Sequence, residues 1–535
     1  MIWPLLTSAH PTVAVYVANL GGMYAGKIRL FGTETGVGVH NAGEIGASAG
    51  DITITADGML VNSGQINSAQ HLAVNTAAGI ENAGVLYAQG NNQLTTAGKL
   101  NNTGTVAAAG DTSLRAAEVN SSRHSMLGAG VKSDNSSITR GTLRVDASGQ
   151  LIAQGKNISG TAQVLNAHSI DLSGSQTQSR DLTLTAQGGA IDLSEAELLA
   201  SDNLSVSTAA ILRTDNARLI AERVTLDAQS LSNLGGVIAQ TGTTDFNLNL
   251  PGYLDNRGGT LLSKGNVAVN AQRLDSNGGS LLAAGVQSDG RLMDSGDLRV
   301  TTRQDLIAQG QTLAAGAMTL TGSRVDLTDS HTQAREIGIS ANRGDISTQR
   351  ANILALGSLT INAGASTEQT LNNQSGTLAA NNITLNLGQL DNNAGKIVAS
   401  QDLTLDLQRD FSNLADSTLQ AGHDLTLTTR GALTNDGQLL AGGKLSTGSS
   451  SLLNSGHIIA TQASLNAAGA LINRGEISTS GRLDTDSNTL FNTGTLISAE
   501  ATLKARYRYF QLPVPTRLKC RFHRWHRSGR QGRSW

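Results

Sequence analysis

The chain has 535 residues, with 39% hydrophobic but only 3% aromatic residues, 61 glycines and 5 prolines. Leu, Ile, Val and Ala recur at short intervals, which excludes a disordered chain, and the scarcity of aromatic residues argues against the core of an ordinary globular enzyme. The formal net charge of −2 hides an asymmetry: Lys504 to Trp535 holds ten Lys or Arg and no acid, leaving 29 basic against 41 acidic residues in 1–503. That acidic body has no basic stripe of the kind that grips nucleic acid, so no nucleic-acid partner is expected.

The start, MIWPLLTSAHPTVAVYVANL, is apolar. It has no Lys or Arg ahead of its first apolar run, and Pro4 and Pro11 interrupt it, so residues 1–19 do not read as a signal peptide. No run of 18 apolar residues exists, so no transmembrane helix is expected. The single cysteine, Cys520, excludes disulfides and Cys-based metal sites within one chain.

From residue 41 onward one phrase recurs. Asn41-Ala42-Gly43 is followed by Asn-x-Gly at Asn62, Asn82 and Asn102, and late in the chain Asn435, Asn454, Asn473 and Asn492 each open it again. The spacings are 19 to 21 residues. A looser form fills the middle: LSNLGG at 231, LDNRGG at 254, LDSNGG at 274, LNNQSG at 371 and LDNNAG at 390. A second phrase alternates with it, as in Asp51-Ile52-Thr53-Ile54, Asp181-Leu182-Thr183-Leu184 and Asp402-Leu403-Thr404-Leu405. Period-2 alternation over four to six residues, bounded by Gly, Asn and Asp, predicts short half-buried strands.

A longer repeat overlays the short one. AGVKSD at 129–134 aligns with AGVQSD at 284–289, and IDLSGSQTQSRDLTL at 170–184 aligns with VDLTDSHTQAREIGI at 325–339, both at an offset of 155. This reads as duplication of a block of about eight units. Leucine-rich and nine-residue calcium repeats lack the required patterns here. The remaining fit is an all-β fold, an elongated parallel β-helix (solenoid) of roughly 20-residue coils with two or three strands per coil. From Asn41 to Asn492 that makes roughly 22 coils and a rod on the order of 100 Å. Glycine is expected to turn corners with φ > 0, and stacked Asn side chains to bond each other in a ladder. Pro251 is the one proline in 12–512, as a ladder fold demands.

Residues 20–43 read LGGMYAGKIRLFGTETGVGVHNAG. The segments Gly21 to Ile28 and Gly32 to Val39, with the later LxNxGG and AGVxSD phrases, resemble the filamentous haemagglutinin family, large exoproteins of bacterial two-partner secretion. The resemblance covers about 20–503. It implies a right-handed helix, secretion or display at the cell surface, and an outer-membrane transporter as partner of the full-length parent. It makes 20–43 the end of a two-partner-secretion domain and 44–503 a haemagglutinin-repeat shaft. The family's Asn-Pro-Asn type motif is missing, so the chain reads as a fragment. Residues 504–535 break the repeat and are expected to be a basic tail, out of frame or disordered.

Arg343-Gly344-Asp345 is the one candidate receptor-binding site, an integrin-type tripeptide that the long repeat places at a corner before Ile346. The bland reading, an ordinary corner rich in Gly and Asp, outweighs it. Histidines such as His71, His168, His331 and His457 are scattered singly, so no metal site is expected. The Asp and Glu residues recur with the repeat, which suits solvated corners better than a unique catalyst, and no catalytic residue or cofactor is assigned. The leading function is a non-enzymatic adhesin shaft that attaches to host-cell receptors, glycans or other bacteria. The alternatives are the stalk of a contact-dependent growth-inhibition toxin and a carbohydrate-active β-helix enzyme. The enzyme would need acids clustered with Arg or Lys on several consecutive coils.

Overall fold

The structure is a computed structural model that describes residues 12–510 apart from 135, 137–138, 288 and 364–367. The start before Thr12 and the basic tail after Phe510 lie outside the described residues. Every regular element among those described is a β-strand. No helix among them is long and apolar enough to cross a membrane. The chain divides into two units, Met1–Ser276 with Ser280–Met293, and Asn277–Gly279 with Asp294–Trp535.

In the first unit most coils have three strands, though two of them merge around the corner in Gln176–Ala186 and Glu197–Thr208. Ile52–Ala56, Met59–Asn62 and Gln65–Ser68 make one coil, and Leu72–Thr76, Gly79–Asn82 and Val85–Ala88 make the next. Each strand pairs in parallel with its equivalent twenty residues on, Ile52 with Leu72, Leu60 with Ile80 and Gln65 with Val85. Alternation decides which side chains enter: Ile52, Ile54, Leu60 and Ile66 are fully buried, while Thr53 and Thr55 between them are only partly buried. Each buried aliphatic stacks on its own equivalents, and such burial contributes about 1.5–3 kcal/mol per side chain. A one-residue slip would turn this entire set outward, so the pattern enforces the register.

The second unit is built the same way. Leu403–Leu407 pairs with Leu425–Thr429, and Phe411–Asn413 pairs with Ala432–Asn435, both in parallel. Near its end two strands merge around the corner into Gln462–Asn473 and Arg482–Asn492, with a break in register between Ala467 and Ala470. The last strand, Glu500–Phe510, continues past residue 504 in register with Arg482–Asn492. The expected β-solenoid of roughly 20-residue coils is therefore present, at about 24 turns among the described residues.

Two kinds of corner join the strands. In the tight kind, two residues link Met59–Asn62 to Gln65–Ser68, and the Asn ends the first strand. None of Gly43, Gly64, Gly84, Gly104, Gly456, Gly475 or Gly494 has φ in the left-handed region, contrary to expectation. Glycine is required for another reason. A Cβ on Gly84 would sit 1.9 Å from the Gly64 carbonyl oxygen one coil away, and one on Gly475 would sit 2.2 Å from that of Gly456. In the wide kind, four residues link Ile191–Asp192 to Glu197–Thr208, and one of them takes φ near +60°. Gly235 and Gly258 occupy that position, but so do Glu195, Asn216, Asp329, Arg350, Ser375 and Ala394.

The Asn ladder exists, and it is internal. Asn41 donates to Asn62 at 2.8 Å, Asn62 to Asn82 at 2.7 Å, and Asn82 to Asn102 at 2.7 Å. Asn102 ends the run by donating to Ser121 Oγ. In the second unit the run goes Asn413, Asn435, Asn454, Asn473, Asn492 at 2.7–2.8 Å. These side chains are at most 3% exposed. Each amide uses its second N–H on a backbone carbonyl, as Asn62 does on Val85 O. A buried amide is costly unless bonded, so the ladder both satisfies these groups and forces coil n onto coil n + 1. At wide corners Thr214 donates to Asn233 and Thr348 to Asn373, which starts a ladder with a hydroxyl. Asn41 Oδ1 and Asn413 Oδ1, at ladder starts, have no donor among the described residues.

Candidate functional site

Arg343, Gly344 and Asp345 form a bend between the strands Glu336–Ala341 and Ile346–Ser347. Arg343 and Asp345 are exposed, and Gly344 is half-buried. The bend is tied to its neighbours. The N–H groups of Arg343 and Gly344 both donate to Ser323 O, and Asp345 Oδ1 accepts the Thr370 N–H at 2.8 Å. Gln369 also donates to Gly344 O. One carboxylate oxygen of Asp345 therefore has a structural use as a corner cap.

The acids that open strands share that use. Asp51 Oδ1 accepts the His71 N–H, Asp402 Oδ1 the Asp424 N–H, and Asp424 Oδ1 the Lys444 N–H, each one coil on. Lys27 and the His71 N–H hold Asp51 below the usual carboxylate range. At Asp51, Asp402 and Asp424 the acid of this phrase thus caps the backbone of the following coil where a strand begins, whereas Asp181 accepts the Asn203 side-chain amide.

One histidine joins such a column. His423 Nδ1 lies 3.0 Å from Asp402 Oδ1 and 3.6 Å from Asp424 Oδ1. The hydrogen bond to Asp402 and the charge of Asp424 raise the imidazole above its ordinary value, and the same bond lowers Asp402. These three groups could offer oxygen and nitrogen atoms to a cation. Asp402 and His423 are exposed and Asp424 is half-buried, and both acids are already engaged as caps. Single scattering in sequence hid the group, because the two acids come from different coils.

Acids with arginines on consecutive coils occur at Asp255, Arg257, Arg273 and Asp275. Arg257 grips Asp255 with Nε at 2.8 Å and Nη2 at 2.7 Å, and Arg273 stands 3.6 Å from Asp275. Burial pushes Asp255 up, but the Arg257 hydrogen bonds outweigh it and hold the carboxyl low. Burial, reinforced by the Asp255 charge, pushes Asp275 up. Asp275 Oδ1 is buried with no hydrogen-bond partner among the described residues. Both oxygens of Asp255 are thus occupied by arginine.

The AGVxSD phrase marks a feature that sequence reasoning took only as a repeat. In both copies the chain leaves the coil after a glycine with φ +66°, Gly130 and Gly285. The next valine, Val131 or Val286, is 1% exposed. Both excursions close on the same bond, Lys132 N–H to Ser136 O and Gln287 N–H to Arg291 O. In the first copy Val131 packs outside the coil wall on Tyr87, Ala107 and Ile158. Burial, with the Asp134 charge, raises the Tyr87 hydroxyl above its ordinary value.

Stacked parallel coils, internal Asn ladders and corner-capping acids define a structural β-solenoid repeat. The haemagglutinin repeat matches nine segments, 17–86, 47–104, 87–155, 138–195, 239–292, 286–349, 354–415, 405–475 and 447–506, so the chain belongs to the filamentous haemagglutinin-type family of repeat exoproteins, whose members are secreted or surface proteins. It is similar to a protein named Toxin CdiA from Yersinia pestis, 57% identical over 442 residues, which cover 82% of this chain and 13% of that protein. It is also similar to a tRNA nuclease CdiA-2 from Burkholderia pseudomallei, 45% identical over 34% of this chain and 6% of that protein. A tRNA nuclease CdiA from Yersinia mollaretii matches at 29% identity over 37% of this chain and 6% of that protein. The chain therefore spans a small fraction of the length of these relatives. No solved structure matches it.

Proposed function

We propose that this chain is a non-enzymatic shaft segment of a large bacterial exoprotein, exported through an outer-membrane two-partner transporter and displayed outside the cell. The observation that carries this reading is the repeated use of coil interiors and corners for binding the next coil, by aliphatic columns, Asn ladders and acid caps. Such a construction holds attached parts at a distance and spreads weak contacts along its surface. Residues 20–43 serve as the end of a secretion domain and 44–503 as the shaft, whose last strand runs on to Phe510, and the rest of 504–535 is sequence outside it.

Two readings of what the shaft serves are open to one experiment. The stalk of a contact-dependent growth-inhibition toxin is favoured by the 57% identity to a protein named Toxin CdiA. Attachment to host-cell receptors or glycans is the adhesin reading. Bacteria carrying the full-length parent, with the segment equivalent to 44–503 removed in frame, are tested for inhibition of neighbouring bacteria and for binding to cultured host cells. Loss of inhibition alone supports the stalk, and loss of cell binding alone supports the adhesin. Retention of both, with the exoprotein exported normally, overturns the shaft.

Within the adhesin reading, Arg343, Gly344 and Asp345 are the receptor contact. Asp345→Asn keeps an oxygen for the Thr370 N–H and removes the charge. Loss of binding to integrin-coated surfaces with unchanged thermal stability supports the contact, and unchanged binding returns the bend to an ordinary corner.

A further inference from the structure

Three polar side chains are brought to one corner of the first unit. Ser159 ends the strand Lys156–Ser159, and Gln163 lies at the start of the next, Ala162–Ala167. Ser179 follows Gln178, which pairs with Ile158, so it stacks on Ser159. Gln163 is fully buried, and the two serines are 6% exposed. Neither Gln163 Oε1 nor Nε2, nor either serine Oγ, has a hydrogen-bond partner among the described residues.

Among the described residues Gln163 is the one buried amide with both ends unmet, whereas buried amides elsewhere use at least one end. In the same column Asn92, three coils earlier, donates to Leu86 O and Ala107 O although its Oδ1 has no partner among the described residues, and Thr112, two coils earlier, donates to Gly128 O. Gln240 accepts from the Val224 N–H and donates to Ser263 Oγ. The duplication supplies an internal control. At the offset of 155 the three positions are Ala314, Met318 and Ala334, each 1% exposed. The strands there, Gln311–Ala314 and Ala317–Gly322, have the same bounds as in the first block. One backbone corner thus carries an all-polar set in one block and an all-apolar set in the other.

We infer that the corner at Ser159, Gln163 and Ser179 is a built hydration site, holding internal water bonded to the Gln163 amide and to both hydroxyls. A buried amide with both ends unmet is untenable in a packed interior, whereas buried water needs two to four polar partners, which these side chains supply. The ligand is water rather than an ion, because the three groups are neutral and offer donors as well as acceptors. The corresponding corner at Ala314, Met318 and Ala334 is dry and held by packing alone.

The test uses the full chain. A crystal structure fine enough to show ordered solvent is determined for the natural protein and for Ser159→Ala/Gln163→Met/Ser179→Ala, which copies the second block. Water touching Gln163 is expected in the first and none in the second, with the melting temperature unchanged or raised on the order of 1–3 °C. A Gln163 amide bonded directly to protein groups overturns the inference. Met318→Gln provides a second measurement that does not depend on that variant folding. Without serines at 314 and 334 the new amide is expected to speed amide hydrogen exchange across Gln311–Gly322 by tenfold or more. Exchange as slow as in the natural chain would show that a lone glutamine is tolerated there, and the inference would fall.

Discussion

The tight corners at Asn41 to Gly104 and the third position of the wide corners at Gly174 to Gly258, both in the first unit, use glycine for opposite reasons. At Gly64 and Gly84 the backbone has ordinary angles, and the hydrogen side chain is needed because the neighbouring carbonyl is 1.9–2.0 Å from where a Cβ would be. At Gly235 and Gly258 the angles are left-handed, φ +63° and +64°. The second unit repeats the contrast, with wide corners at Asp329, Arg350, Ser375 and Ala394 and tight ones from Asn435 to Gly494. A steric wall admits no side chain, whereas a strained angle costs about 1–2 kcal/mol and can be absorbed by a stable array. This is why the Asn-x-Gly phrase is nearly invariant within its stretch while the middle of the chain spells its corners loosely.

The contrast breaks first, if it is wrong, at Gly84→Ala. Its Cβ must push two coils apart, and a loss of about 3 kcal/mol or more is expected, read as local hydrogen-exchange opening in the coils around 64–104. Gly235→Ala should cost about 1–2 kcal/mol, because the angle alone is unfavourable and its nearest neighbour is the Asn216 side chain. Equal costs would refute the steric account of the tight corner.

Next in size is the ladder. Asn454→Leu leaves the Asn435 amide without its acceptor and the Asn473 oxygen without its donor, and a loss of about 2–4 kcal/mol is expected in the same exchange measurement. Thr214→Val removes only the hydroxyl that starts the wide-corner ladder at Asn233, and should cost about 1–2 kcal/mol. A loss at Thr214 equal to that at Asn454 would mean that ladder position is irrelevant.

Smaller and opposite in sign is Ala394→Gly. Ala394 holds φ +52°, and glycine there should stabilise the second unit by about 1 kcal/mol, seen as slower exchange near Lys396–Ala399. No gain would show that wide corners store no strain.

The smallest effect is electrostatic. The raised value of His423 means that its protonated form is favoured in the folded chain. That contribution is fully present below the ordinary value of 6.5 and is lost as pH rises through the raised folded value. Asp402→Asn should move the His423 titration, followed by NMR, back toward 6.5. An unmoved midpoint would remove Asp402 as the cause.

Much of this was legible in the sequence. Ile52-Thr53-Ile54 and Leu403-Thr404-Leu405 announce strands by alternation, and the 19-to-21-residue spacing of Asn-x-Gly announces coils. The Arg343–Asp345 bend falls at a corner, as the long repeat indicated. The Asp402, His423 and Asp424 group was not legible, because its members are neighbours only once coils stack. Nor was the outward turn at Gly130 and Gly285. A phrase repeated at 155 residues says that two places are alike, not that they leave the wall.

Periodicity by itself determined the β-solenoid, because a side chain that recurs every coil can be satisfied only by its own copies. Residue type also determined that Asn would bond Asn. What glycine was for had to wait for the tertiary structure, since a 1.9 Å approach between carbonyl and Cβ belongs to two coils at once. That the amide at Gln163 finds no protein partner while Met318 is simply packed was likewise visible only there, by which groups lay within reach.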